Sequence, residues 1–304
     1  KTHKGKAGDF HICKHCDVSD LGECPRCLGF RRLGAAGHCQ KCNSRYVMNT
    51  CAEHMQSKDE SGNCRQCGPY KYRLYNYTLK PHPQFHYTEL DQKNNEFIFF
   101  GIENEISFDT STQQHNALKK MYKEFDPRYV VCKSDASIHG HGFEMVTQPM
   151  TLDFFTNLDI TKMFSRTQRS NNSCGMHIHV GRNAFKSDLH LYKVTNFIHE
   201  NTSFIDEIAG RSFNNYNRAF QSRVSKVILN KKKTGHAERH VRVNLRNEKT
   251  IEFRMFAACQ NPYTMRFRLE FLHALIKWTI NTGVKNTSVD EFCQFVADNQ
   301  DLYS

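Results

Sequence analysis

No apolar run in the 304-residue chain approaches the roughly 20 residues needed to cross a bilayer, which argues against a membrane-spanning helix. Nothing near the start has the basic, apolar, small-residue order of an export signal. A cytoplasmic setting is therefore expected. The phosphate loop G-x-x-x-x-G-K-[ST] is missing, as is the dinucleotide fingerprint G-x-G-x-x-G, so those two nucleotide-binding solutions are excluded. Tryptophan occurs once, at Trp278 among Leu275, Ile276 and Ile280, where a core role is expected. Hydrophobic content is a lowish 38%, but 23 phenylalanines are enough to build a core. That length suits one large domain with a small one attached.

Cysteine, by contrast, is abundant and unevenly spread. Nine of 13 cysteines precede residue 68, nearly all in C-x-x-C pairs. The pairs are Cys13/Cys16, Cys24/Cys27, Cys39/Cys42 and Cys64/Cys67, and Cys51 with His54 adds a C-x-x-H pair. Close pairs in a chain with no export signal read as Zn²⁺ ligands rather than disulfides. These ligands fill two tetrahedral sites, and a third if His11, His15 or His38 contributes. Few large apolar residues separate the pairs, so metal would be the core of a zinc-knuckle domain over residues 1–75. Cys132, Cys174, Cys259 and Cys293 stand singly and read as packing residues.

The formal net charge of +11 points to an anionic partner. Residues 1–75 hold 13 Lys/Arg against 7 Asp/Glu, but each four-cysteine zinc site carries about −2 and cancels much of that excess. Docking of a macromolecule is thus favoured for this head over nucleic-acid binding. Residues 70–95, rich in tyrosine and interrupted by Pro81 and Pro83, read as an extended connector or edge strand. The second domain, 76–304, alternates strands with amphipathic helices expected over 112–125, 151–164, 188–210, 262–281 and 288–299. A hairpin joins 239–246 to 250–256. The pattern predicts an α+β domain with a mainly antiparallel sheet and helices on one face. Arg211, Arg218, Arg223, Lys226 and Lys231–Lys233 form a basic stretch that reads as a solvated loop or a flap over phosphates.

The stretch Glu96–Phe108 is central to the site. Ile98, Phe100, Ile102, Ile106 and Phe108 fall on one face of a strand, and Glu103 and Glu105 on the other. Two carboxylates on one face repel unless a cation lies between them. Three further segments repeat the division. His177 and His179 oppose Met176, Ile178 and Val180; Glu252 and Arg254 oppose Ile251, Phe253 and Met255; Glu144 lies between Phe143 and Met145. Arg242, Asn244 and Arg246 likewise oppose Val241, Val243 and Leu245. Carboxylates with an imidazole suit Mg²⁺ or Mn²⁺, and forked guanidiniums suit phosphates, which marks Arg242 and Arg246 as candidate nucleotide contacts. Several carboxylates, divalent ions and arginines on one surface resemble a phosphoryl-transfer site.

The segments G-I-E-N-E (101–105), S-C-G-M-H-I-H-V (173–180) and T-I-E-F-R (250–254), with N-P-Y (261–263), resemble the glutamine synthetase superfamily in order and spacing. Asp135–Ala136–Ser137 and Gly142–Phe143–Glu144 ahead of Pro149 bring the likeness closer to its amidoligase branch, carboxylate–amine ligases of bacteria and phages. The resemblance spans about 95–280 and leaves the cysteine-rich head outside. It implies a glutamine synthetase-like catalytic domain using ATP and two or three Mg²⁺ or Mn²⁺. Glu103, Glu105, His177 and Glu252 would be metal ligands, and His179 would face the ATP phosphates. Glu144 would bind metal or orient the amine, Arg254 would hold the acceptor carboxylate or transferred phosphoryl, and Asp135 would be an acid on the amine or metal side. Glutamine synthetases carry an acidic residue where this chain has Ala257 and Ala258, which argues against glutamate as substrate. The implied reaction joins a carboxylate to an amine through an acyl phosphate, and the zinc head points to a peptide or protein substrate. The alternatives are a binding or phage structural adaptor that keeps the ligase fold, and a metal-dependent nucleic-acid enzyme.

Overall fold

The computed structural model describes residues 21–23, 30–32, 50–51, 56–57, 74–78, 83–125, 129–158, 160–164, 174–212, 240–284 and 287–303. By internal contacts the chain forms two units: Lys1–Arg73 with Thr78–Pro83, and Leu74–Tyr77 with Gln84–Ser304. In the first, β1 (Leu21–Glu23) pairs antiparallel with β2 (Phe30–Arg32), and β3 (Thr50–Cys51) with β4 (Gln56–Ser57). The zinc-ligand assignments at Cys13, Cys16, Cys24, Cys27, Cys39, Cys42, His54, Cys64 and Cys67 lie outside the described residues, as does the side chain of Cys51.

The second unit is α+β. Its strands are β5 (Phe100–Phe108), β6 (Val130–Lys133), β7 (His141–Thr147), β8 (Gly175–Gly181), β9 (Val243–Asn244) and β10 (Thr250–Ala257). They form one antiparallel sheet in the order β6-β7-β5-β8-β10-β9, with β5 inside it. Phe100, Ile102, Ile106, Phe143, Met145, Ile178, Val180, Ile251 and Phe253 are buried on one face. Each such side chain contributes about 1.5–3 kcal/mol relative to exposure. Helices pack on that side: α2 (Ser111–Glu124), α4 (Asp188–Glu200), α5 (Thr202–Ala209), α6 (Pro262–Asn281) and α7 (Val289–Asp298). Trp278 lies in this layer, edge-on to Phe197 at 5.5 Å. Among the described residues no helix is long and apolar enough to cross a membrane.

Several details depart from the sequence expectation. The tyrosine-rich connector contains a short helix, α1 (Glu89–Asn94), opened by a capping box between Thr88 and Asp91. The pattern over 151–164 breaks into α3 (Leu152–Asn157) and a 3₁₀ turn at Ile160–Met163. The pattern over 188–210 divides at Asn201, whose side-chain amide donates to the Phe197 carbonyl at 2.9 Å and ends α4. Gly210, at φ 70°, then closes α5 in the left-handed region. Of the four single cysteines, Cys132, Cys174 and Cys259 are buried as expected, but Cys293 is exposed on α7.

One core position of β5 is polar. Asn104 is fully buried, and its amide donates to the Cys259 carbonyl at 3.0 Å while its oxygen accepts the Cys259 N–H at 2.8 Å. This pair clamps the exit of β10 to the central strand, two residues before Asn261 caps α6. Asn104→Ala should lower unfolding free energy by about 2–4 kcal/mol, because two buried backbone groups lose their partner; denaturant titration reads this directly.

Four residues ahead of β5, Glu96 accepts from Lys277 at 2.9 Å and lies 3.2 Å from His273 Nε2 on α6. The His273 bond is the largest influence on the Glu96 carboxyl and, with Lys277, pulls it to about 2 against the opposing effect of burial. A depressed carboxyl stabilises above its ordinary value of 4.5 and loses that contribution as pH falls towards 2. Glu96→Gln should therefore cost about 0.5–1 kcal/mol at neutral pH, discounted for partial exposure, and progressively less across that acidic window. Denaturant midpoints at stepped pH follow the difference.

Candidate metal centre

The face of the sheet turned from the helices carries the ionisable residues, and the strand pairing sets them side by side. Glu103 on β5 lies opposite His177 on β8, and Glu105 opposite Glu144 on β7. Glu252 on β10 lies opposite His179 on β8 and Asn244 on β9. Lys133 on β6 lies opposite Glu144. Residues from all six strands thus meet on one surface.

Two ligand groups result, each with its donor atoms within 4.8 Å of one another: Glu103, His179 and Glu252, and Glu103, Glu144 and His177. Glu103 belongs to both. Its Oε2 is 3.6 Å from His177 Nδ1 and 3.5 Å from His179 Nε2, and His177 Nδ1 is 3.8 Å from Glu252 Oε1. These gaps exceed good hydrogen bonds, and neither imidazole nitrogen has a hydrogen-bond partner among the described residues although both are buried. Around an octahedral divalent ion, neighbouring ligand atoms lie about 3 Å apart, so gaps of this size can close on a cation with small side-chain movements. His179 Nδ1 lies 3.3 Å from Thr250 Oγ1, which orients the ring with Nε2 towards Glu103. Two carboxylates and one imidazole in each group fit Mg²⁺ or Mn²⁺.

The electrostatics are those of a site where carboxylates crowd together. Burial works to raise the Glu103 carboxyl, but the two imidazoles, His179 foremost, hold it well below the ordinary range. Burial tends to lower His179, and the Glu103 charge overcomes it, so the imidazole is raised. Glu144 is pushed up to about 7 by burial and then by Glu103, despite the Lys133 ammonium 3.1 Å away. Glu105 is raised by burial, although its Oε2 accepts the Gly175 N–H at 2.6 Å.

The remaining candidates divide. Arg254 is buried against Glu252, which also accepts from Asn244 Nδ2 at 2.7 Å. Glu105 lies one step along β5 from the two groups and is held by backbone. Asp135 is half-buried, and its Oδ1 accepts both the N–H and the hydroxyl of Ser137 at 2.7 Å, so its carboxylate also shapes the turn after β6. Arg242 is placed elsewhere. A bend before β9 sends it into full burial beside α5, where it pairs with Asp206, so it is not positioned as the expected phosphate contact. Arg246 is exposed, and its backbone N–H donates to Asn244 Oδ1 at 3.0 Å.

Two contributors escaped sequence reasoning. Lys133 belongs to none of the alternating segments singled out in the sequence, and its place opposite Glu144 depends on the β6–β7 pairing. Arg211, grouped with the basic stretch, instead donates to the carbonyls of Met255, Cys174 and Arg254 at 3.1, 3.3 and 2.7 Å. It thereby satisfies carbonyls at a bulge in β10 between Phe253 and Phe256. Gly175 makes room for it, since a Cβ there would come within 2.9 Å of the guanidinium.

Comparison with protein-family models and with curated proteins gives no match.

If both groups hold divalent ions, the chain should bind two Mn²⁺, as counted by equilibrium dialysis. Glu103→Ala should weaken both, by about 100-fold or more, whereas Glu252→Gln should weaken one and leave the other within about threefold.

Proposed function

We propose that the chain is an ATP-dependent carboxylate–amine ligase that forms an amide through an acyl phosphate, on a glutamine synthetase-like catalytic domain. The observation that carries this reading is the pair of carboxylate–imidazole groups sharing Glu103, with Arg254 beside one and Lys133 beside the other. A surface that only faced solvent would have no reason to bury two imidazole nitrogens against one carboxylate and leave them without hydrogen-bond partners. The resemblance of the G-I-E-N-E, M-H-I-H-V and T-I-E-F-R segments supports the same reading.

Glu103, His179 and Glu252 would hold one divalent ion, and Glu103, Glu144 and His177 another. Bound there, such ions neutralise the triphosphate and the charge that develops during transfer. A substrate carboxylate oxygen attacks the γ-phosphorus, the bond to the β,γ-bridging oxygen breaks, and nucleoside diphosphate leaves. The amine nitrogen then attacks the acyl carbon, the bond from that carbon to the phosphate oxygen breaks, and inorganic phosphate leaves. Arg254 offers its guanidinium to the transferred group from the Glu252 side. Glu144, beside Lys133, would orient the amine, whose proton passes to a carboxylate at that end. Asp135 and Glu105 add negative charge at that end, which favours an incoming ammonium group.

The head is assigned two or three Zn²⁺ and the docking of a peptide or protein substrate, in a cytoplasmic setting. Supporting this, Cys24 and Cys27 fall between β1 and β2, while Cys51 ends β3 and His54 precedes β4. Short hairpins around ligand pairs are how knuckles present thiolates to zinc.

Phosphate release that requires ATP and Mg²⁺ and rises on adding amine and carboxylate donors is the expected activity. Glu103→Ala should lower it by about 100-fold or more. Phosphate release indifferent to Glu103→Ala would overturn the reading.

A further inference from the structure

The residues just before β5 belong to neither ligand group. Ile98 is buried with the core, so alternation turns Phe97 and Phe99 to the face of Gly101, Glu103 and Glu105. Their rings lie 6.1 Å apart and 14° from parallel, as neighbours two residues apart on one face do. A second segment runs alongside, tied by the His86 N–H to the Pro149 carbonyl and the Thr151 N–H to the His86 carbonyl, at 2.9 and 3.0 Å. It brings Phe85 edge-on to Phe99 at 4.9 Å and Tyr87 edge-on to Phe97 at 5.3 Å. Phe85 is 56% exposed and Tyr87 45%. Bare rings gathered in one cluster mark a binding surface rather than chance exposure.

The cluster is continuous with the metal centre. Between Phe99 and Glu103 the face presents Gly101, where an added Cβ would meet only His179 Cβ at 3.8 Å and the Thr147 carbonyl oxygen at 4.0 Å. These are ordinary contact distances, and with no side chain of its own at this point β5 leaves bare backbone between the rings and the acids. Glu103 lies four residue steps beyond Phe99 along extended chain, about 13 Å. A ligand lying along β5 would have its anionic end at the cation groups and a flat apolar end against the rings.

We propose that Phe85, Tyr87, Phe97 and Phe99 form the shelf on which the base of the nucleoside triphosphate stacks. This rests on the ligase reading and adds a specificity to it. Stacking reads the area of a ring and not its hydrogen-bonding edge, because every base has a π-face. The shelf therefore prefers purines to pyrimidines and treats adenine and guanine nearly alike. The opposite end, with Glu144, Lys133 and Asp135, is left for the amine.

The test is calorimetric titration of the full chain, in Mg²⁺, with the β,γ-imido analogues of ATP, GTP and UTP and with inorganic tripolyphosphate. ATP and GTP analogues should bind within about threefold of each other, and both about tenfold or more tighter than tripolyphosphate. The double variant Phe85→Ala/Tyr87→Ala changes only exposed rings. It should weaken the purine analogues about tenfold and leave tripolyphosphate unchanged, while Phe85→Tyr/Tyr87→Phe retains affinity. ATP bound no better than tripolyphosphate, or ATP affinity unchanged in the alanine variant, overturns the shelf alone. Binding of neither ligand by the unaltered chain overturns the ligase reading and the shelf with it.

Discussion

Four carboxylates on one face of a sheet cannot stay ionised together without partners, and the arrangement of this domain answers that constraint. Glu103 has two imidazoles, Glu144 has Lys133, Glu252 has Arg254 and Asn244, and Glu105 has the Gly175 N–H. Arg254 shares β10 with Glu252, but the other partners come from different strands, so most of the compensation exists only when the sheet is assembled. The opposite face contributes the hydrophobic stabilisation against which this crowding is maintained. The two sides of β5 thus divide the work between holding the fold together and concentrating charge.

The polar face is also graded along its length. From Glu105 through Glu103 and Gly101 to Phe99 and Phe97, β5 passes from acids, to acid with imidazole, to bare backbone, to aromatic rings. On the proposed reading this order matches an amine, a phosphate chain and a base laid end to end. It assigns to each part of the ligand the chemistry that suits it: negative charge for the ammonium, cation ligands for the phosphates, and stacking for the ring.

Much of this was legible in the sequence because alternation at period two is insensitive to which strands are neighbours. The division of Glu103 and Glu105 from Phe100 and Ile102 follows from spacing alone, and so does that of His177 and His179 from Ile178. Pairing is another matter. That Glu103 is shared by two imidazoles, or that Lys133 faces Glu144, depends on contacts between segments far apart in the chain. Arg242 matched the alternating pattern, yet the bend before β9 turns it towards Asp206; alternation holds only where the backbone stays extended. Asn201 was hidden inside an apolar periodicity that runs through it, because a side-chain amide ends a helix by local competition and not by its place on a face. The helix at Glu89–Asn94 was masked by nearby prolines, although Thr88 and Asp91 already had the spacing of a capping box.

Asn104 has a consequence beyond stability. A slip of β5 by one position would send Glu103 and Glu105 into the apolar layer and expose Ile102 and Phe100. The slipped strand would also carry the Asn104 amide away from both backbone groups of Cys259, more than 150 residues downstream. Misaligned arrangements are thus penalised twice, once by charge in oil and once by a lost long-distance handshake. The amide acts as a proofreader of strand alignment, and it makes arrival of the chain's last third a condition for the acids to point outward.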